Sequence, residues 1–281
     1  MALNAYHNGR FLSKNEVGIS LSDRALFFGD AIYDVAIGKN GKIYQSDMHI
    51  SRLQRGADFL GFKHKYSDEE IADIMARVVE LSKLQEYMIY IQLSRLCDRR
   101  IHAAPSECDV SLLVYADEFK MDLSHGQVKL ISMEDRRYSY CNVKTTNLLP
   151  AVIASTNAER CGCDETVFVR SGFVTECAHS NISILKDGIL LSHPTDEKIL
   201  AGITRRTLFD IAREIGIHCV ERPFTFSELM GCDEAIITST TRLGRTVRRI
   251  DGVKIGGRAP EAAAELTARL AQKYEQAMKN G

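Results

Sequence analysis

Tryptophan is absent from this chain of 281 residues, and so is any surplus of charge: 36 Lys and Arg stand against 37 Asp and Glu. Without a basic excess, bulk electrostatics cannot drive binding to nucleic acid, so no nucleic-acid partner is expected. No apolar run approaches the roughly 18–20 residues needed to cross a bilayer, so no membrane association is expected either. The first seven residues, Met1 to His7, have neither a basic start nor an apolar core, which predicts no secretory signal. The missing tryptophan carries no functional information. What remains is 45% apolar and 26% charged, ample for a packed core and unlike a disordered chain. Length alone allows one large domain or two small ones.

Paired Cys-x-x-Cys spacing is also missing. The cysteines stand at 97, 108, 141, 161, 163, 177, 219 and 232. Cys161-Gly162-Cys163 is the one close pair, with no second pair and no His-x(3–5)-His partner, so no metal site is expected. A chain of this length needs no disulfide staples, and reduced thiols in a cytoplasm fit the pattern.

Asn8-Gly9 and Asn40-Gly41 each separate short strand-like runs and read as hairpin turns, the second joining Ala31–Gly38 to Lys42–Gln45. Ser67-Asp68-Glu69-Glu70 is a capping box opening a helix with Ile71, Ile74, Met75, Val78 and Val79 on one face. Strands are predicted at Met88–Ser94, Val110–Tyr115, Val128–Met133, Glu165–Val169, Asn181–Leu185, Ile189–Ser192, Cys219–Pro223 and Glu234–Thr238. Lys186-Asp187-Gly188 is a turn between two of them. A helix is expected from about Thr204 to Ile215 and stops at Gly216; Pro260 opens another, carrying Leu266, Leu270 and Tyr274. The polar stretch Ala116–Gln127 is the candidate boundary. The expected fold is α+β: a small N-terminal α/β domain over 1–117, a linker over 118–127, and a larger β-rich C-terminal domain over 128–281.

Several segments can carry chemistry. The helix at 204 holds Arg205 and Arg206 in its first turn, where acidic residues are usual, with Gly202 just ahead and the Thr204 hydroxyl expected at the cap. Free N–H groups and a hydroxyl make an anion site. An ordinary Thr cap with two solvated arginines is the commoner arrangement. Ser239-Thr240-Thr241 ends an apolar strand and offers further donors, or is a plain strand-to-loop transition. Lys144 stands between a strand and the apolar run Leu148–Ala154. A desolvated lysine amine is a nucleophile that forms Schiff bases with carbonyls, whereas a snorkelling surface lysine reads equally from composition. Glu176 ends a strand, where a carboxylate can aim into a cleft or into water. His179, nearby, reads as structural. Arg100 and His102 project the same way if their loop is extended and can grip a carboxylate, Arg bidentately; a basic surface loop is the plainer alternative.

Taken in order, these segments resemble the fold-type IV family of pyridoxal-phosphate enzymes and, within it, the D-amino-acid aminotransferase group. The resemblance rests on Phe28-Gly29-Asp30-Ala31-Ile32-Tyr33-Asp34, His49-Ile50-Ser51-Arg52-Leu53, Val143 to Leu149, Val174-Thr175-Glu176 with Ser180-Asn181, Leu200 to Arg205, and Thr238 to Thr241. It implies a two-domain fold-type IV architecture, a homodimer, and pyridoxal 5′-phosphate as cofactor. By position, Lys144 would hold the cofactor and shuttle the proton. Glu176 would pair with the pyridine nitrogen. Arg52, Ile203, Thr204, Ser239 and Thr240 would bind the phosphate. Tyr33, Arg100 and His102, with Arg95 and Pro105 flanking the loop, would hold the substrate carboxylate. Asp34, Leu96 and His179 differ from the family's usual residues. The implied reaction is ping-pong transamination between a D-amino acid of the D-alanine type and a 2-oxo acid such as 2-oxoglutarate or pyruvate. The alternatives within the fold are a branched-chain (L) aminotransferase, an (R)-amine transaminase and an aminodeoxychorismate lyase. Outside it stands a non-catalytic ligand-binding protein.

Overall fold

The computed structural model describes residues 2–63, 66–105, 107–124 and 126–279. The chain divides into two compact units. The first comprises Met1–Met121, Val143–Asn147 and Ala277–Gly281; the second comprises Asp122–Asn142 and Leu148–Gln276.

The first unit contains β1 (Ala5–His7), β2 (Arg10–Leu12), α1 (Ala25–Phe28), β3 (Ala31–Lys39), β4 (Lys42–Ile43), α2 (Ser46–Phe59), α3 (Asp68–Ser82), β5 (Glu86–Arg95) and β6 (Val110–Glu118). Its sheet runs β2-β1-β6-β5-β3-β4 and is antiparallel throughout. Period-two burial puts Ile89, Ile91 and Leu93 of β5 inward, where they join Ile50 and Leu53 of α2 and Ile71, Met75 and Val78 of α3 in one apolar core. The capping box of α3 forms as expected: Ser67 Oγ accepts from the Glu70 amide, and the Ser67 amide donates to Glu70 Oε2. Helix α2 lies outside the elements expected from sequence. It starts from Gln45 in the left-handed conformation with no side-chain cap, so the usual start signal is missing.

The strand β6 continues through Glu118, which pairs with Tyr87, so the polar residues 116–118 are extended. The segment Val143–Asn147 groups with the first unit because it runs along the start of β3. The Tyr33 amide donates to the Lys144 carbonyl (2.9 Å), and the Thr146 amide to the Ala31 carbonyl (3.1 Å). Asn147 Nδ2 donates to the Gly29 carbonyl at 2.9 Å. Gly29 ends α1 at φ +59°, and a methyl group there would meet Asn147 Oδ1 at 2.2 Å.

The second unit contains β7 (Val128–Glu134), α4 (Leu149–Arg160), β8 (Glu165–Arg170), β9 (Phe173–Cys177), β10 (Asn181–Lys186), β11 (Ile189–Ser192), α5 (Ile203–Glu214), β12 (His218–Glu221), β13 (Phe224–Thr225), α6 (Phe226–Met230), β14 (Glu234–Ser239), β15 (Leu243–Ile250), β16 (Val253–Lys254) and the start of α7 (Pro260–Lys279). Its sheet runs β12-β11-β10-β14-β15-β7-β8-β9-β13, with β16 paired to β15. Three pairs, β11–β12, β15–β7 and β7–β8, are parallel. Val128, Leu130, Val167, Ile182, Ile184, Ile237 and Val247 form its core, and α5 packs on β14. The strand β12 ends at Glu221, not Pro223, because proline has no N–H for the ladder. The strand β15 is likewise absent from the sequence-based expectation, since Arg245, Arg248 and Arg249 break its apolar alternation.

Among the described residues, no helix is long and apolar enough to cross a membrane.

Gly29→Ala combines a left-handed backbone, costing about 1–2 kcal/mol for a residue with a Cβ, with collision against Asn147. The variant should melt several degrees lower and exchange the Thr146 amide faster in hydrogen-exchange mass spectrometry. Unchanged exchange at 143–147 would contradict this account of how the segment is pinned.

Candidate active site

In the first unit, Lys144 is half-buried. Its Nζ donates to Tyr33 Oη at 3.3 Å and sits 4.3 Å from the centre of the Tyr33 ring. Tyr33 is itself fixed twice. Its amide holds the Lys144 carbonyl, and its ring stacks on Tyr90 at 5.4 Å, which stacks on Tyr115 at 5.0 Å. The amine of Lys144 is thus aimed by a tyrosine ladder across β3, β5 and β6 and is not a snorkelling surface group.

Arg52 lies on α2 beside the fully buried Asp34 of β3. Its Nε and Nη2 donate to the two oxygens of Asp34, both at 2.8 Å, and His49 Nδ1 meets Asp34 Oδ1 at 2.8 Å. Burial pushes the Asp34 carboxyl up. The charge and hydrogen bonds of Arg52, aided by His49, outweigh it and hold the group well below the usual carboxylate range. One edge of the Arg52 guanidinium is therefore committed to orientation.

Arg100 and His102 lie in the exposed loop between β5 and β6 and collect on one ring. The Arg100 guanidinium is 5.1 Å from the centre of Phe28, and the His102 ring 5.3 Å. Among the described residues, neither hydrogen-bonds to Lys144 or Tyr33.

In the second unit, Glu176 is buried at the end of β9. Arg137 Nη1 donates to its Oε1. Its Oε2 accepts from Asn181 Nδ2 at 2.8 Å and from the Leu200 amide at 3.1 Å. Asn181 Nδ2 also donates to the Leu200 carbonyl at 2.9 Å, and Asn181 pairs with Thr238 across β10 and β14. A methyl group on Gly202 would fall 1.9 Å from Asn181 Oδ1. Asn181 thereby ties together Glu176, the start of α5 and the end of β14. Burial pulls the Arg137 guanidinium down, but its hydrogen bonds to Asp135 and the charge of Glu176 raise it overall, so it stays cationic and keeps an anion beside it.

The structure corrects the position of Thr204. It is the second residue of α5, not its cap. The cap is Gly202, and no side chain caps this N-terminus. Glycine stands there because Asn181 leaves no room for a Cβ. Ile203 and Thr204 nonetheless supply first-turn amides. At the end of β14, Ser239 Oγ and Thr238 Oγ1 are buried and without a hydrogen-bond partner among the described residues; Thr240 follows in the turn to β15. Buried hydroxyls awaiting a partner, beside an uncapped helix start, suit a phosphate. His179 is held by its amide, which donates to Glu165 Oε1 at 2.8 Å.

Arg137 and Asn181 are the site residues that sequence reasoning assigned no role. Arg137 sits in an Arg136-Arg137 pair that reads as a solvated surface run. Asn181 stands within the Glu176 motif, but its bonds need the fold. Burial pushes the Cys141 thiol up to about 11 and Cys232 to about 12, which makes both poor nucleophiles at neutral pH. Among the described residues, no cluster of His, Cys, Asp and Glu could hold a metal ion.

Residues 31–250 match the family described as Amino-transferase class IV. The D-alanine aminotransferase of Staphylococcus aureus (strain MSSA476) is 33% identical over 248 residues, covering 87% of this chain and 88% of that protein. The D-alanine aminotransferase of Bacillus licheniformis is 31% identical over 255 residues, covering 90% of each. Among solved structures, the branched-chain amino acid aminotransferase of Escherichia coli aligns with a TM-score of 0.86 at 21% identity, over 98% of this chain and 94% of that one. The branched-chain aminotransferase of the archaeon Thermoproteus uzoniensis, solved with norvaline, aligns at 0.85 and 24% identity, over 98% of this chain and 94% of that one. At these identities the structures establish the shared fold.

Asp34 supplies the pH dependence. Its folded pKa is depressed, so it stabilises the protein above the unfolded aspartate value of about 3.9 and that contribution fades as pH falls toward the lower folded value. Asp135, held by Arg137, acts with the same sign. Asp34→Asn should cost about 3–5 kcal/mol at pH 7, because it removes one charge of the buried pair with Arg52. Urea unfolding should show the variant losing less further stability than the wild type below about pH 4. Parallel acid limbs would contradict the burial of an ionised Asp34.

Proposed function

This chain belongs to the class IV amino-transferases and is a transaminase; we propose that it moves an amino group between a D-amino acid of the D-alanine type and a 2-oxo acid, with pyridoxal 5′-phosphate as cofactor. The observation that carries the chemistry is the Lys144 amine, held at 3.3 Å on Tyr33 in a segment pinned to β3. The D-amino acid preference is supported by the likeness, at about a third identity over most of the chain, to proteins named D-alanine aminotransferase.

When bound, the cofactor supplies an aldehyde that takes up amines and a protonated ring that draws off negative charge. The residues present fit it. Lys144 would carry it. Ile203, Thr204, Ser239 and Thr240 would hold its phosphate through first-turn amides and hydroxyls, and the partnerless Ser239 Oγ supports that role. Arg52 would add a charge whose orientation Asp34 sets. Glu176, paired with Arg137 and steadied by Asn181 and the Leu200 amide, would hold a proton on the ring nitrogen. Lys144 Nζ would then take and return the proton at the substrate α-carbon, with Tyr33 Oη fixing its direction. Arg100 and His102 would grip the substrate carboxylate, and Tyr33 would complete that grip. Donor and acceptor use the same groups in turn, so the kinetics are ping-pong.

We also read the chain as a two-domain homodimer with residues 118–127 as linker. The first turns of α4 leave Leu149 70%, Val152 55% and Ile153 50% exposed on one stripe, which supports a partner surface. The free cysteines are consistent with a reducing compartment such as the cytoplasm.

Given D-alanine and 2-oxoglutarate, the purified protein should form pyruvate, with L-alanine and L-leucine far slower donors by chiral analysis. Preference for the L-amino acids would overturn the substrate reading. Lys144→Ala should abolish turnover. Glu176→Gln should lower kcat by about 10²–10³-fold, since it removes the charge that holds the ring proton. Turnover within a few-fold of wild type in either variant would contradict the assigned roles.

A further inference from the structure

Residues 98–103, which include Arg100 and His102, are exposed, yet a buried group grips them. Arg24 lies just ahead of α1. Its Nη1 donates to the Ile101 carbonyl at 2.6 Å and its Nη2 to the His102 carbonyl at 3.0 Å. Its remaining nitrogen, Nε, donates to Asp30 Oδ2 at 2.7 Å. The guanidinium also lies 4.6 Å from the centre of Phe28, the ring on which Arg100 and His102 rest. The side chain is 5% exposed.

The base beneath this grip is rigid. Asp30 is shared with Arg95, whose Nε lies 3.3 Å from the same carboxylate oxygen and whose Nη2 donates to the Leu60 carbonyl at 2.7 Å. The Arg24 amide donates to the Arg95 carbonyl, and the Cys97 amide to the Ser22 carbonyl. Asp23 Oδ2 accepts from Ser94 Oγ at 2.7 Å. Residues 22–24 are thus fastened to the end of β5, and Arg24 reaches past that end to the carbonyls of two consecutive residues, Ile101 and His102. A planar fork suits this geometry. Two donors point at adjacent carbonyls while the third is anchored to a carboxylate, and a lysine cannot satisfy all three.

We propose that Arg24 is a positioning residue for substrate selection: it holds the 99–102 loop so that Arg100 and His102 present together to a carboxylate. The inference rests on the reading of that loop as the carboxylate grip. Arg24 touches the loop backbone, so its loss would free both side chains at once without removing either. The effect should fall on acid binding, not on the proton transfer at Lys144.

Two readouts on the purified holoenzyme test this. The first is tryptic cleavage after Arg99 and Arg100 under native conditions, followed site by site by mass spectrometry. The second is steady-state kinetics with D-alanine and 2-oxoglutarate. Arg24→Gln should be cleaved at these bonds at least about tenfold faster, because local opening exposes them. Its KM for both substrates should rise on the order of tenfold or more, with kcat within about threefold. Arg24→Lys keeps a cation on Asp30 and should fall between; it decides the matter if Arg24→Gln does not fold. Unchanged cleavage would overturn the grip. Faster cleavage with unchanged KM, or a loss confined to kcat, would overturn the role in substrate selection. A wild-type protein without activity on D-alanine would be a failure of the functional reading, and the cleavage arm would then still decide whether Arg24 holds the loop.

Discussion

The hydrogen bond from the Tyr33 amide to the Lys144 carbonyl is the constraint on which the first unit's chemistry depends. It makes a five-residue segment, distant in sequence, part of the edge where β3 begins. It also places the lysine amine over the ring of the residue that holds its backbone. A flexible four-carbon side chain has many rotamers, and holding one of them costs conformational entropy. Here the stacked Tyr33, Tyr90 and Tyr115 offset that cost through packing on a sheet that is already rigid. The same strand carries Asp34 one residue on, facing the other way, so alternation along β3 serves both the amine and the Asp34–Arg52–His49 cluster.

In the second unit, Asn181 plays the corresponding part. A neutral amide commits its donors to a carboxylate and a backbone carbonyl, and so fixes Glu176 against the chain that leads into α5. Gly202 is required because the same amide fills the space a Cβ would take. Charge is handled in the same way in both units. In each unit a buried site carboxylate lies against an arginine, Asp34 against Arg52 and Glu176 against Arg137. A chain with a net charge of −1 therefore holds strongly charged clusters that its total conceals.

Much of this is legible in the residues, though unevenly. The strand β5 shows period-two patterning, β10 and β14 are short continuous buried runs, and the capping box at Ser67 names its helix outright. Glu176 stands out because it sits near a strand end, and Lys144 because a cation stands just ahead of an apolar helix. Helix α2 is hidden because its start has no capping side chain, and β15 because three arginines interrupt its apolar face. Thr204 looks like a cap because Thr is a good one. That Gly202 takes the position follows from Asn181, whose approach only the fold reveals. Arg24, Arg137 and the partner of Arg52 are out of reach for one reason. A buried arginine and a solvated one look alike in sequence, and each of these finds its carboxylate or carbonyl through tertiary packing, Arg24 across more than seventy residues.

The central claim is that Lys144 is the amine that carries pyridoxal 5′-phosphate. Its most direct test is the colour and covalent chemistry of the purified protein. With the cofactor added, the protein should turn yellow, and borohydride should bleach it and fix the cofactor's mass to the peptide containing Lys144. The Lys144→Ala protein should take up no label under the same treatment. A protein that stays colourless, or a label that maps to another lysine, would contradict the account.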